Sequence, residues 1–178
     1  MGSPFIGPLR AASNEAYECA PFDPVIAMPL TYRRALPSDL PFIIKTVVAG
    51  IIVPTDDDPA DATSGEYRAA LAAIDADPNE EMFVVESDAL PIGCFQLSYI
   101  PGLLRRGMWR GQIELVHIAE KYRNRGFGSE MMRWAIARCR ERGCGMIQLT
   151  SNKKRTDAHR FYARLGFAAS HEGFKLYL

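Results

Sequence analysis

The chain has 178 residues, 48% of them hydrophobic and 24% charged, with 21 lysines and arginines set against 21 aspartates and glutamates. That is enough apolar material for one full core in a single domain, and a formal charge of zero argues against a dedicated nucleic-acid binder. No apolar run reaches membrane-spanning length and no charged-apolar-small leader is present, so no membrane association and a cytoplasmic location are expected.

Residues 1–28 contain several prolines and little periodicity, and read as an N-terminal extension, either disordered or packed as an arm, ahead of one domain over 29–178. Thr31 to Ala35 reads as a first short strand. Ser38-Asp39 is placed to cap a helix whose apolar face includes Leu40, Ile43, Ile44, Val47 and Val48. Gly50 through Pro59 breaks that pattern and ends in the acidic run Asp56-Asp57-Asp58. Tyr67, Ala70, Leu71 and Ile74 then share one face of a second helix, stopped by Asp77-Pro78-Asn79.

Met82 to Glu86 and Ile92 to Tyr99 alternate as strands around a short turn and predict an antiparallel hairpin. Pro101-Gly102 ends the second of them. The branched, alternating run from Gln112 to Ile118 predicts a further strand. Beyond it, Met131, Met132, Ala135, Ile136 and Cys139 recur at helical spacing, opposite Arg133, Arg138, Arg140 and Glu141. Gly143 and Gly145 are expected to end this helix, and Met146 to Thr150 to form a strand parallel to Gln112–Ile118 through a right-handed crossover. Thr156 is placed to cap a last helix running to Leu165, with Gly166 at its end. Phe167-Ala168-Ala169 and Lys175 to Leu178 then predict final antiparallel strands.

Four cysteines, Cys19, Cys94, Cys139 and Cys144, show neither C-x-x-C pairing nor zinc spacing with the three scattered histidines, so no disulfide framework and no metal site are expected. Charge is uneven along the chain. Arg68 is the only basic residue between Asp56 and Asp88, whereas arginine dominates from Arg105 to Arg142. Solvated faces account for such runs, as would a basic half for an anionic cofactor and an acidic half for a cationic acceptor.

The segment Arg123-Asn124-Arg125-Gly126-Phe127-Gly128 lies between the strand ending at Ile118 and the long helix. A glycine turn that opens a helix leaves backbone N–H groups unpaired at the positive end of the helix dipole, which suits phosphate. The same pattern also occurs as a plain tight turn. No G-x-G-x-x-G and no Gly-Lys-Ser/Thr is present, so neither a dinucleotide fold nor a nucleotide-triphosphatase loop is supported.

This segment resembles the Q/R-x-x-G-x-G/A pyrophosphate loop of the GNAT superfamily of N-acetyltransferases, and Ala158-His159-Arg160-Phe161-Tyr162-Ala163-Arg164-Leu165-Gly166-Phe167 is similar to that family's A-x-x-x-Y-x-x-x-G-F ending. The resemblance runs from about Thr31 to the C-terminus. It implies an α/β fold: a single mixed, mostly antiparallel twisted sheet of about six to seven strands, with helices on both faces and a central parallel strand pair splayed around the cofactor. It also implies an acetyl-CoA-dependent N-acetyltransferase.

By the same resemblance, the backbone of Val116, His117 and Ile118 lies beside the pantetheine arm and polarises the thioester carbonyl. Arg123, Asn124, Arg125, Gly126, Phe127, Gly128 and Ser129 map onto the phosphate-binding turn, with Phe127 read as core packing. Tyr162 takes the position of the general acid that reprotonates the departing thiolate. Where the family often carries an Asn, this chain has Arg155, and Asn152 lies three residues earlier, so both are cofactor-binding candidates.

Glu114 is the best general-base candidate from the residues themselves. Period-2 geometry places it on one face with Val116 and Ile118, and His117 on the other, while a salt bridge to an arginine is its alternative role. His159 is the second candidate. The expected acceptor is a small-molecule amine, bound near the first helices, the Gly50–Pro59 loop and the Tyr99–Gly111 loop with Trp109, with Asp56 to Asp58 available to dock a cation. Acetylation of a protein or peptide, and a non-catalytic acyl-CoA-binding sensor, are the alternatives. The apolar hairpins and the C-terminal strand offer surfaces on which two copies could pair as a homodimer.

Overall fold

A computed structural model describes residues 30–53 and 55–177. The expected N-terminal extension, residues 1–28, lies outside them. Five strands form one sheet in the order β1-β2-β3-β4-β5. They are β1 (Thr31–Arg34), β2 (Glu80–Ser87), β3 (Leu90–Ile100), β4 (Trp109–Ile118) and β5 (Cys144–Leu149). The first four are antiparallel to their neighbours, and β4 and β5 are parallel. The four longer helices and one four-residue turn are α1 (Leu40–Val48), α2 (Gly65–Ala76), α3 (Leu104–Gly107), α4 (Phe127–Glu141) and α5 (Thr156–Arg164).

The apolar periodicity decides the layers. Alternate residues of β2 and β3 go to opposite faces. Phe83, Val85, Phe95, Leu97 and Tyr99 meet Met131, Met132, Ala135 and Cys139 of α4, with Phe161, Tyr162 and Leu165 of α5 packed against the same cluster. Met82, Val84 and Cys94 meet Leu40, Ile43 and Val47 of α1 and Leu71 of α2 on the other face. Tyr32 stacks on Trp134 at 4.4 Å between ring centroids, tying β1 to the middle of α4.

Several boundaries differ from the sequence expectation. Asp39 does not cap α1 by its side chain. Its carboxylate instead accepts the Leu36 N–H (2.7 Å) and the Nη1 and Nη2 fork of Arg33 (2.6 and 2.8 Å), after a 3-10 turn at Pro37–Asp39. Gly143, at φ +77°, follows α4, but Gly145 lies inside β5. Arg155, not Thr156, is the N-cap of α5. The sheet has five strands among the described residues and not six or seven. Neither the Phe167–Ala169 nor the Lys175–Tyr177 run joins a ladder among the described residues: Phe167 packs singly against the core, and the second run leaves its apolar side chains in solvent, with Leu176 and Tyr177 87 and 83% exposed. Leu178 is not among the described residues.

One buried ionic knot fixes α4 to the sheet. The Glu81 carboxylate, on the α4 side of β2, accepts the Tyr99 hydroxyl (2.6 Å) and both Nη2 (2.7 Å) and Nε (3.1 Å) of Arg138. Burial works against ionisation of Glu81, and the Arg138 fork, the Tyr99 hydroxyl and Arg34 outweigh it, so its carboxyl is held below the ordinary range. The folded value lies below the unfolded one of about 4.3, so this contribution is complete above that pH and is lost as pH falls through the folded value. Glu81→Ala leaves Arg138 beside an unpaired buried hydroxyl. It should cost about 3 kcal/mol in urea unfolding at pH 7, the low end for a broken buried pair because Arg138 is partly exposed. A loss below about 1 kcal/mol would show that the knot contributes little.

Candidate active site

The site begins with a bulge. Leu115, near the end of β4, has φ +51°, and the β3–β4 register changes there: Gln96 faces Glu114, but Cys94 faces His117. Two residues of β4, Leu115 and Val116, therefore oppose the single Phe95. The extra residue shifts the side-chain phase by one. Val116 and Ile118 pack toward the α4 core, while Glu114 shares its face with His117. This corrects the expectation that Glu114, Val116 and Ile118 would share one face with His117 opposite, since strict alternation does not survive a bulge.

Past the bulge the parallel pair comes apart. The β4–β5 ladder ends at Ile113 opposite Leu149. From Glu114 to Ile118, β4 keeps β3 on one side and has no strand on the other, so the backbone groups of that edge face a gap. Two cavities occupy the gap. The smaller, about 160 Å³, lies between Glu114 to His117, Thr150 and Ser151, Arg155 and Tyr162, with Val47 and Ile51 closing it from the α1 side. The larger, about 430 Å³, runs along Val116 to Ile118 toward Arg123, Lys154 and the first residues of α5. Val116, His117 and Arg155 line both.

Four polar side chains of the smaller cavity differ in their surroundings. Tyr162 packs edge-on against Phe161 and Phe167, and its hydroxyl has no hydrogen-bond partner among the described residues. Burial raises the phenol pKa and the nearby Arg155 charge partly offsets this, so the phenol is protonated at neutral pH. Glu114 is exposed at the cavity wall and makes no ion pair among the described residues; the alternative role as a salt-bridge partner is not realised. The His117 ring sits against Gly50, where an added Cβ would lie 2.3 Å from Nδ1, so only glycine admits it. Burial first, then the charges of Arg155 and Arg123, push its pKa down to about 4, and the imidazole is neutral. Ser151 Oγ is buried without a partner.

The turn into α4 lies beyond the larger cavity. Asn124 and Gly126 have φ +61° and +83°, and the backbone N–H groups of Gly126, Phe127 and Gly128 meet no backbone acceptor among the described residues. Arg123 donates from Nε to the Ile118 carbonyl (3.0 Å), Arg125 lies over the Tyr122 ring, and Phe127 packs into the core as expected. Three free amides at the start of a 15-residue helix, with two arginines alongside, fit a pyrophosphate, and the open edge of β4 fits an extended amide arm.

Other expected site residues go elsewhere. The Asn152 side chain accepts the Lys154 N–H (2.9 Å) and builds the turn before α5, whereas Arg155 enters both cavities. His159 is exposed, with Nε2 3.0 Å from the Asn152 carbonyl. Asp57 accepts the Tyr67 hydroxyl and Asp58 the Ala60 N–H, and none of Asp56, Asp57 and Asp58 lines either cavity. Trp109 is at the far end of β4. The His117 side chain and Ser151 enter the site without having been singled out for it. Ser151 has a signal only in hindsight, as the second residue after the strand that stops at Leu149. No group of three or more metal-ligating side chains occurs among the described residues.

The family model for the acetyltransferase (GNAT) family matches residues 52–167. The aminoalkylphosphonate N-acetyltransferase of Salmonella typhimurium is 32% identical over 108 residues, 61% of this chain and 70% of that protein. The N-alpha-acetyltransferase MAK3 of Arabidopsis thaliana is 33% identical over 73 residues, 41% of this chain and 38% of its own length. Among solved structures, a transcriptional regulator from Bacillus halodurans C-125 superposes with a TM-score of 0.79 at 36% identity, over 84% of this chain and all of that one. The chain belongs to the GNAT acetyltransferase family, whose members use acetyl-CoA, and it is an N-acetyltransferase.

The glycines of the turn separate folding from ligand binding. A Cβ at Gly128 would meet only Phe161, at 3.7 Å, an ordinary contact. Gly128→Ala should therefore leave stability within about 0.5 kcal/mol of wild type or raise it, and weaken CoA binding about tenfold or more by calorimetry because the methyl takes the ligand's place. Gly126→Ala, forced to keep a positive φ, should lose about 1 kcal/mol of stability as well. Full CoA affinity in Gly128→Ala would remove the turn from the binding site.

Proposed function

We propose that this chain is an acetyl-CoA-dependent N-acetyltransferase that passes the acetyl group directly to the amine of a small-molecule acceptor. The observation that carries this reading is the gap between β4 and β5: a cavity of about 160 Å³ on which Glu114 and Tyr162 converge. That suits a small amine better than a peptide. The name of the Salmonella relative, which covers most of that protein's length, supports the same choice.

Acetyl-CoA, when bound, supplies an acetyl thioester and departs as a thiol. The backbone amides of Gly126 to Gly128, with Arg123 and Arg125, would hold the pyrophosphate. Asn124 and Ser129 complete that turn. The open edge of Val116 to Ile118 would hold the pantetheine arm, and one backbone N–H there would polarise the thioester carbonyl. Glu114, free of other partners, takes a proton from the acceptor ammonium, directly or through water, so that the neutral amine can attack. As the C–S bond breaks, the Tyr162 hydroxyl, otherwise unbonded, gives its proton to the sulfur, and the second proton lost by the acceptor nitrogen on becoming an amide restores the phenol. Orientation within one gap supplies much of the acceleration. The free thiols of Cys94, Cys139 and Cys144 suit a reducing cytoplasm, and no helix among the described residues is long and apolar enough to cross a membrane.

The test is release of CoA thiol from acetyl-CoA across a panel of amines, amino acids, aminoalkylphosphonates, aminosugars and short peptides, with a no-acceptor control. Small amines should turn over. Tyr162→Phe and Glu114→Gln should each lower kcat about a hundredfold or more while CoA affinity holds. Turnover of peptides alone would shift the reading to peptide acetylation. Tight acetyl-CoA binding with no turnover anywhere would leave a sensor.

A further inference from the structure

The smaller cavity carries charges of opposite sign on its walls. Glu114 comes from β4, and Arg155 from the residue that opens α5. Each is without an ion-pair partner among the described residues. The nearby Asp157 pairs with Arg160 instead. Arg155 is held from behind by its own backbone, whose N–H donates to the Asn152 carbonyl at 2.9 Å. Its side chain is only partly exposed, near both His117 and Tyr162. A guanidinium drawn from water with no counter-charge is costly, and an anion supplied from outside removes the cost. A neutral monoamine would satisfy Glu114 and leave Arg155 unpaired.

We propose that the acceptor is a small amine that carries its own anionic group, the anion held by Arg155 while the amine faces Glu114. Phosphonate, phosphate monoester and carboxylate share this chemistry, and the planar guanidinium fork can bind any of them through two N–H groups. The larger cavity has its own cations in Arg123 and Lys154, and the phosphate turn has its free amides, so Arg155 is not needed there. The idea rests on the small-amine reading given above.

The assay compares matched acceptors: 2-aminoethylphosphonate, phosphoethanolamine and β-alanine against ethanolamine and propylamine. The anionic amines should have kcat/KM about ten- to a hundredfold above their neutral partners, the value of one charged hydrogen-bonded contact. Ranking within the three identifies the anion. Arg155→Gln should erase that preference by raising the acceptor KM, with the KM for acetyl-CoA moved less than about threefold, and Arg155→Lys should keep part of it. Equal use of neutral and anionic amines by the wild-type protein would overturn this inference and leave the small-amine reading standing. A rise in the KM for acetyl-CoA in Arg155→Gln, in place of the acceptor KM, would move Arg155 to the cofactor and also overturn it. No turnover with any amine, despite acetyl-CoA binding, would fail both readings.

Discussion

The site depends on one irregular residue in an otherwise regular strand. Leu115 adopts a positive φ with a γ-branched side chain, a conformation that costs about 1–2 kcal/mol. Pairing with β3 on both sides over-determines it: Gln96 to Glu114 before the bulge, Cys94 to His117 and Gly93 to Ile118 after it. The local cost is met by the sheet. Were Leu115 held in regular alternation with no bulge, Glu114 and His117, three residues apart, would fall on opposite faces. The bulge thus links backbone strain to the co-location of the polar groups that line the gap.

The gap also needs two rigid walls. On one side, α4 is fixed by the Glu81, Tyr99 and Arg138 knot near its C-terminal end and by the stacking of Tyr32 on Trp134 at its middle. Its N-terminal turn, with three free amides, is therefore held at a constant distance from β4 without any contact that would consume those amides. On the other side, Gly50 lets the end of α1 close over the His117 ring. A side chain there would push α1 off the sheet and open the small cavity. Packing on both faces of one sheet sets the width of the space between β4 and β5.

Much of this was legible in the sequence, and the parts that were not share a cause. The periodic segments α1, α2, α4, β2 and β3 are set by local hydrophobic pattern, and the phosphate turn and Tyr162 stand in linear motifs. The bulge has no such mark: Leu115 is neither Gly nor Asn, and its φ is imposed by pairing with β3. Asp56 to Asp58 look like a docking site for a cation in one dimension, but in space two of the three serve Tyr67 and Ala60. Asn152 and Arg155 could not be ranked from spacing alone. In three dimensions the turn uses the Asn152 side chain for its own backbone, while Arg155 lines both cavities. The C-terminal runs alternate like strands, yet a ladder needs a partner with matching length and a buried face, and neither is encoded locally.

The charges in the gap show how a fold can keep a site polar without collapsing it. Glu114 and Arg155 line one small cavity and do not pair. A direct bond between them would neutralise both and close the space between β4 and β5. Glu114 is fixed by its register with Gln96 on one sheet edge, and Arg155 by a turn on the far side of the gap. Both positions are therefore set by backbone, which the modest attraction of a partly hydrated pair cannot move. His117 adds no third charge, because its burial against Gly50 keeps it neutral. What remains is a short dipolar space with a protonated phenol at its edge, where a ligand of matching polarity exchanges water for two charged contacts at once.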